Sequence, residues 1–192
     1  MRVIGGTAGG RRLAVPPRGT RPTSDRTREA LFSSLGSLLG EWRGVRAIDL
    51  YAGSGALGLE ALSRGAEISC FVERDRSAIG VLGANIDAVG LAGAQVITGD
   101  VDDVVARPAE MAFDLALLDP PYATPTERVR SVLHSMATHG WLSDGAVVVV
   151  ERDAREVDAP WPDDAWEALR QRSYGDTALW YGRFLGTAAR EP

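Results

Sequence analysis

Asp49-Leu-Tyr-Ala-Gly-Ser-Gly-Ala-Leu-Gly58 is the stretch that decides the fold prediction, because it leads from a short apolar run into residues with helical spacing. Its three glycines permit a tight turn and let a ligand approach the backbone beside the N-terminus of a helix. Glu73 follows 20 positions after Gly53, at the end of the next apolar run. This combination is typical of α/β folds that bind an adenosine-containing ligand, whose ribose hydroxyls can donate to the carboxylate.

Short β-branched runs alternate with helical stretches from residue 46 onward, which predicts a sheet with helices on both faces. Two further strands, at 166–173 and 178–184, are joined by a tight turn and must therefore be antiparallel. The prediction is an α/β fold whose seven-stranded sheet is mostly parallel and ends in an antiparallel pair. The other strands are predicted at 46–51, 67–72, 94–98, 113–118 and 146–151, and the helices between them at 56–64, 75–89, 101–107 and 126–138.

The charges near the glycine-rich turn separate two adenosine-containing ligands. A dinucleotide places a pyrophosphate over such a turn, whereas S-adenosylmethionine places a sulfonium and an ammonium group there. Asp49 would repel the first and attract the second. Asp100 follows the third strand, where it could accept a hydrogen bond from the adenine amino group. The sequence therefore predicts S-adenosylmethionine as the cofactor, bound by Asp49, Tyr51, Gly53, Gly55, Glu73, Arg74, Asp100 and Val101.

Asp119-Pro-Pro-Tyr122 directly follows the apolar fourth strand, where open α/β sheets have their ligand crevice. An exocyclic amino nitrogen is a poor nucleophile, because its lone pair is delocalised into the ring. The Asp119 carboxylate and the Pro120 carbonyl could accept both amino hydrogens, with the carbonyl direction fixed by Pro120 and Pro121, and Tyr122 could stack on the base. These four residues are the predicted catalytic group, and the expected fold is a class I, Rossmann-like, S-adenosylmethionine-dependent methyltransferase.

Positive charge is concentrated at the N-terminus of a chain whose net charge is −5. Residues 1–46 hold nine Arg against three acidic residues, a balance of +6, and all 21 basic residues are Arg. Guanidinium groups among Gly, Pro and Thr are free to meet phosphates. We therefore expect residues 1–45 to form a small basic hairpin and a helix that face RNA, ahead of a methyltransferase domain at 46–192. The predicted RNA-binding residues are Arg11, Arg12, Arg18, Arg21 and Arg28.

Composition argues against several other classes of protein. No apolar run approaches the roughly 20 residues that span a bilayer, and no apolar segment follows the N-terminal charge, so a cytoplasmic protein is expected. Cys70 is the single cysteine and there are two histidines, which do not make a metal site at a familiar spacing. We expect no metal and a monomer.

Five motifs resemble those of a known family, the bacterial methyltransferases that modify a guanine N2 in 16S ribosomal RNA, of the guanine-966 type. The resemblance implies that the substrate is 16S RNA or the assembling 30S subunit, and that Arg26 and Glu29 lie near the cofactor. The chain departs from the family pattern at Ala123-Thr-Pro125, where many members carry a basic residue after the aromatic one. The motifs are Arg2-Val-Ile-Gly-Gly, Arg21-Pro-Thr-Ser-Asp-Arg-Thr-Arg-Glu-Ala-Leu-Phe, the stretch from Asp49 to Ala66, Phe71-Val-Glu-Arg-Asp and Asp119-Pro-Pro-Tyr.

Three alternatives remain open from the sequence. A methyltransferase acting on DNA or on a protein glutamine would use the same Asp119 motif. An NAD-dependent oxidoreductase would need an acid-base group near the nicotinamide, and neither His134 nor His139 is predicted at a strand end. A non-catalytic RNA-binding module would explain the basic N-terminus, but it would have no use for Asp-Pro-Pro-Tyr.

Overall fold

A computed structural model of the chain describes residues 1–16 and 24–186. Within those residues seven strands form one sheet. The strands are β1 (Arg46–Leu50), β2 (Ile68–Glu73), β3 (Ala94–Thr98), β4 (Phe113–Leu118), β5 (Leu142–Asp153), β6 (Trp166–Tyr174) and β7 (Thr177–Phe184). Their order is β3-β2-β1-β4-β5-β7-β6; β1 to β5 are parallel, and β7 is antiparallel to both β5 and β6. This confirms the predicted fold class.

Five helices connect these strands or precede them in the described part of the chain. They are α1 (Asp25–Leu39), α2 (Ala56–Arg64), α3 (Arg76–Val89), α4 (Val101–Val105) and α5 (Thr126–Thr138). Ser24 caps α1 by accepting a hydrogen bond from the backbone N–H of Thr27, and Gly40 ends the helix. The Asp75 side chain caps α3 in the same way, so the helix begins one residue later than predicted.

Several element boundaries differ from the sequence prediction by one or more residues, and two of these differences have identifiable reasons. β5 begins at Leu142 instead of residue 146, because the chain passes through Gly145 at a φ of +82° within the strand and the register with β4 shifts there. α4 ends at Val105 instead of residue 107, because Pro108 disfavours helical backbone in the residue before it. Both differences lie at the ends of correctly placed elements.

Helices cover both faces of the sheet and bury its apolar side chains. On one face, α4 and α5 pack against β1, β4 and β5, with Val129, Leu133 and Met136 fully buried. On the other face, α1 and α2 pack through Leu31, Phe32 and other apolar side chains. The alternation of strands and helices thus leaves the carboxyl ends of the five parallel strands along one edge, where the loops meet.

The N-terminal residues form the predicted hairpin, and they pack on the rest of the chain. Arg2 pairs with Arg12 in an antiparallel bridge. Val3 is fully buried in a cluster with residues of α2 and α3. The buried Glu60 carboxylate on α2 accepts hydrogen bonds from the backbone N–H groups of Ile4 and Gly5 at 2.6 and 2.9 Å. The boundary expected at residue 45 therefore marks a change in charge along the chain. Apolar side chains from both sides of this boundary pack together in one core.

Candidate active site

The carboxyl ends of β1, β2, β3 and β4 surround a cavity of about 320 Å³, which we call the cofactor cavity. Leu50 is in register with Val72 of β2 and with Leu118 of β4, so the residues that follow these strands meet at one edge. A volume of this size falls within the usual range for small-molecule sites. The residues that line it are Pro16, Tyr51, Gly53, Val72, Glu73, Arg74, Asp75, Ala78, Gly99, Asp100, Val101, Asp119, Pro121, Thr124 and Arg128.

Glu73 is fixed in orientation by three backbone N–H groups at the mouth of this cavity. Its Oε2 accepts from Gly53 at 2.8 Å, and its Oε1 accepts from Arg74 and Asp75, each at 2.8 Å. A carboxylate offers about four lone-pair positions, so one remains for a further donor. A ribose hydroxyl is a donor of the right kind, which fits the predicted role of Glu73.

The turn after β1 is shaped by close packing beneath it. Gly55 adopts a φ of +79°, and a Cβ at this position would lie 2.4 Å from the Cδ1 of Leu82, so only glycine fits. Asp49 lies under the turn, where its Oδ2 accepts from the backbone N–H of Gly58 at 2.8 Å. Burial, with the nearby charge of Glu73, raises the pKa of Asp49 to about 8. Neither Asp49 nor Gly55 is among the residues lining the cofactor cavity, so both support the turn from below.

Asp100 is held at the opposite side of the cofactor cavity by two arginines. Its carboxylate contacts Arg74 at 2.5 Å and Arg128 of α5 at 3.3 Å, and it caps α4 by accepting from the backbone N–H of Asp102. Burial acts to raise the pKa of Asp100, but the hydrogen bonds from Asp102 and Arg74 outweigh it and lower the pKa. An ionised Asp100 is an acceptor, as an adenine amino group requires.

A second cavity of about 520 Å³, which we call the acceptor cavity, opens on the other side of the Asp119 motif. Asp119 and Pro121 line the cofactor cavity, whereas the half-exposed Tyr122 lines the acceptor cavity. The motif therefore stands between the two cavities. The residues lining the acceptor cavity are Ser24, Arg26, Thr27, Tyr122, Glu151, Ser173, Tyr174, Gly175, Asp176 and Thr177.

Asp119 is in an environment that favours its protonated form. Withdrawal of its carboxyl group from water raises its pKa well above the usual value, and the charges of Glu151 and Asp49 raise it further. A carboxyl group with a raised pKa at the boundary of two cavities is a common feature of functional sites. At this boundary it can accept hydrogen bonds and, in its ionised form, accept a proton.

The N-terminal residues predicted to bind the cofactor or RNA lie in different parts of the structure. Arg26 lines the acceptor cavity and not the cofactor cavity, and Glu29 is exposed on α1 outside the lining of both. Arg12 is exposed, while Arg11 donates to the carbonyls of Ala88 and Val89 at the end of α3. Two further predicted RNA-binding residues, Arg18 and Arg21, lie outside the described residues.

The assignment of Arg28 to RNA binding is wrong. Its side chain is only 1% exposed, and its Nη2 donates to the Arg2 carbonyl at 2.8 Å and to Asp25 at 2.6 Å. Arg28 thus joins α1 to the N-terminal hairpin and cannot meet a phosphate. The sequence held a signal for this, because Arg28 precedes Leu31, Phe32 and Leu35 at the spacing of one helix face.

Sequence reasoning missed residues that reach the site from distant segments. Arg128, Thr124 and Pro16 line the cofactor cavity, and the hairpin between β6 and β7 forms one wall of the acceptor cavity.

Within residues 1–16 and 24–186 there is no group of three or more His, Cys, Asp and Glu side chains that could hold a metal ion. Nor does that part of the chain contain a helix long and apolar enough to cross a membrane.

The cofactor cavity fits S-adenosylmethionine. Glu73 retains an acceptor position for a ribose hydroxyl, and Asp100 is an ionised acceptor for an adenine amino group. Its lining also holds the carboxyl groups of Glu73, Asp75 and Asp100 against the guanidinium groups of Arg74 and Arg128, a balance that suits a cationic ligand better than a pyrophosphate.

Replacing Glu73 by alanine is expected to weaken binding of S-adenosylmethionine by about 1.5 to 3 kcal/mol, the typical contribution of a hydrogen bond to a charged group. Isothermal titration calorimetry measures this directly. Glu67→Ala is the matched control, because Glu67 is an exposed carboxylate directly before β2, at the end of the strand away from the cavity. Equal affinity of the Glu73 variant and the control would show that the ribose lies elsewhere.

The fold defines the class of protein. A seven-stranded sheet in this order, with an antiparallel last pair and a glycine-rich turn after β1, is the fold of the S-adenosylmethionine-dependent methyltransferases. The solved structure "Putative methyltransferase yhhF from Escherichia coli" shares it, with a TM-score of 0.84 and 31% identity, over 97% of this chain and 99% of that chain.

Sequence comparison then gives the family. The sequence model described as Conserved hypothetical protein 95 matches residues 1–183. The "Putative rRNA methyltransferase YlbH" of Bacillus subtilis is 37% identical over 183 residues, covering 93% of this chain and 96% of the relative. The "Ribosomal RNA small subunit methyltransferase D" of Escherichia coli K12 is 33% identical over 179 residues, covering 93% and 87%. The chain belongs to the family that this sequence model and these two relatives define, which confirms the resemblance carried by its motifs.

Proposed function

We propose that the chain transfers a methyl group from S-adenosylmethionine to the exocyclic N2 of a guanine in 16S ribosomal RNA. The observation that carries the proposal is the position of Asp119-Pro-Pro-Tyr122 between the cofactor cavity and the acceptor cavity. A group at this boundary can touch the amino nitrogen of a base on one side while the methyl donor is bound on the other. Family membership supports the class of reaction and the small-subunit RNA as substrate.

The residues of the site would act mainly by positioning. When bound, S-adenosylmethionine supplies an electrophilic methyl group on its sulfonium. Glu73 and Asp100 would hold its ribose and adenine. Asp119 and the Pro120 carbonyl would accept the two amino hydrogens of the target base, and Tyr122 would stack on the ring. Alignment of donor and acceptor can lower a barrier by about 7 to 11 kcal/mol without a covalent enzyme intermediate.

Asp119 would also receive a proton. The amino nitrogen becomes positively charged as it is methylated, so it must lose a proton to return to its neutral state. Burial raises the pKa of Asp119, which makes its carboxylate a stronger base than an ordinary aspartate. A general base is most effective when its pKa lies near the operating pH. The carboxylate that orients the amino group is thus also placed to remove its proton.

The acceptor cavity would admit the base only when it is unpaired or turned out of its helix. A base stacked within a duplex cannot enter such a cavity, so the target must be in a loop, in a single strand or flipped. Arg26 at the edge of the acceptor cavity and the exposed Arg12 would contact phosphates of the RNA. The same role stays a prediction for Arg18 and Arg21. We propose that the protein acts in the cytoplasm as a monomer and without a metal.

A product assay tests this proposal against its alternatives. Radiolabelled S-adenosylmethionine is incubated with the protein and with 30S subunits, naked 16S RNA or DNA, and the labelled nucleoside is identified after digestion. We expect N2-methylguanosine from one or both RNA substrates. Label in DNA, or N6-methyladenosine as the product, would overturn the proposal, as would label on glutamine of a ribosomal protein.

A further inference from the structure

Glu151 is a second carboxylate beside Asp119 that the mechanism above does not use. Leu118 of β4 is in register with Val150 of β5, so Asp119 and Glu151 are the next residues along two adjacent parallel strands. Glu151 is only 6% exposed, yet it lines the acceptor cavity, where the Thr177 hydroxyl donates to its Oε1 at 3.4 Å. Its charge also acts on Asp119, which places the two carboxyl groups close together.

Glu151 brings a second carboxyl group to the place where Asp119 already lies, and Glu151 is itself buried. Each carboxylate loses hydration when buried, and two like charges raise each other's cost. Asp119 alone suffices to accept hydrogen from an amino group, so amino binding does not require Glu151. Two carboxyl groups that lie together at the wall of a cavity are candidates for a functional role. Among the described residues, the other charged groups that line the acceptor cavity belong to Arg26 and Asp176, which are both exposed, so water competes for them.

The chemistry of the bases indicates what a second acceptor could recognise. In guanine, the carbon that carries the amino group is bonded to N1, which carries a hydrogen and is a donor. In adenine and cytosine, the corresponding ring nitrogen is an acceptor with no hydrogen. Two adjacent acceptors in the protein therefore match the two adjacent donors of guanine, and they oppose the donor–acceptor pair of the other two bases.

We propose that Glu151 selects guanine by accepting a hydrogen bond from its N1–H while Asp119 holds the 2-amino group. This inference rests on the proposed function and adds a specificity-determining residue to it. Asp119 then orients the nitrogen that reacts, and Glu151 reads which base carries it. A site built to bond an N–H group rejects an analogue without it strongly, because its buried acceptor is left facing another acceptor.

The test uses 2-aminopurine, which keeps the 2-amino group of guanine but has an acceptor at N1. The nucleotide methylated by the wild-type protein is first mapped. 16S RNA is then prepared by ligation with guanine or 2-aminopurine at that nucleotide and assembled into 30S subunits. Single-turnover methylation is measured on both substrates with wild type, Glu151→Gln and the control Glu167→Gln, in which an exposed carboxylate on β6 receives the same change.

We expect the wild type and the control to methylate guanine at least about 100-fold faster than 2-aminopurine. Glu151→Gln should lower the rate on guanine by about 10- to 100-fold. The variant should gain on 2-aminopurine relative to guanine, because its amide can donate to the N1 acceptor. Loss of stability alone would lower both rates together, so the ratio of the two rates is the decisive readout.

Three results would overturn the inference. Equal wild-type rates on guanine and 2-aminopurine would do so without any variant. An unchanged ratio in Glu151→Gln, with N2-methylguanosine still formed by the wild type, would remove only the role of Glu151 and leave the proposed function intact. A wild-type product other than N2-methylguanosine would overturn both.

Discussion

Asp119→Ala is expected to lower the single-turnover rate of methylation by about 100- to 1000-fold, the usual cost of removing one group that stabilises charge in a transition state. The carboxylate matters most as the amino nitrogen becomes positive, so its loss acts on the transition state more than on the bound ground state. Affinity for S-adenosylmethionine should change by only a few fold. Rapid-quench measurement at saturating cofactor and RNA separates the chemical step from binding.

A second substitution of Asp119 and a control substitution elsewhere test this expectation further. Asp119→Asn keeps an oxygen that can accept one hydrogen bond but lacks the charge and the basicity, so its rate should fall between wild type and alanine. Asp103→Ala is the control, because Asp103 is an exposed carboxylate on α4. Asp119 also borders the cofactor cavity. If alanine at this position reacted at the wild-type rate while cofactor affinity collapsed, Asp119 would belong to cofactor binding and not to orientation of the base.

The fold could be predicted because its signals are local. The turn at Gly53 to Gly58, the apolar runs and the capping residues each specify their own element, and all seven strands were predicted where they lie. The start of β5 was placed four residues late, because Asp144 and Gly145 have the composition of a turn. In the structure, the register with β4 shifts around that glycine, but β5 pairs with β4 on both sides of it, at Leu142 and again from Val147. Tertiary pairing overrode a local preference there.

The candidate site could be predicted only where it follows the parallel strands. Glu73 ends a strand, Asp100 and Asp119 each follow one, and the carboxyl ends of parallel strands lie at one edge, so the cavity that they border could be predicted. Arg128 reaches Asp100 from α5, and the turn at Gly175 reaches the acceptor cavity from the C-terminal strands. Their positions depend on packing between distant segments, which no local pattern records.

The N-terminal arginines show where composition misleads. A run of arginines among small residues suggests a free basic surface, yet Arg28 is buried and Arg11 bonds to carbonyls at the end of α3. A guanidinium group has five N–H donors and can serve unsatisfied backbone carbonyls as readily as phosphates. The net charge of the N-terminal residues therefore indicates that this segment is positive, whereas the role of each arginine depends on its neighbours.

Asp49→Asn is expected to make the ligand-free protein more stable at pH 8, although Asp49 lies under the cofactor turn. The pKa of this carboxyl is about 8 in the fold, against 3.8 as the ordinary value. Between these values the folded state binds more protons than the unfolded state, so the free energy of unfolding falls as the pH rises from about 4 to about 8. The asparagine carbonyl can still accept from the Gly58 N–H but cannot ionise, so this loss is removed.

The size of the effect on stability makes it measurable by urea unfolding at several pH values. A pKa difference of this kind corresponds to on the order of 5 kcal/mol between pH 4 and pH 8. Asp119 has a raised pKa as well, in part because of the charge of Asp49, so Asp49→Asn also removes this repulsion, which adds to the expected gain in stability at high pH. The variant should exceed the wild type by several kcal/mol at pH 8 and by little at pH 4. Should the variant instead be the less stable protein at pH 8, Asp49 would be ionised in the fold and its hydrogen bond to Gly58 would outweigh the cost of its burial.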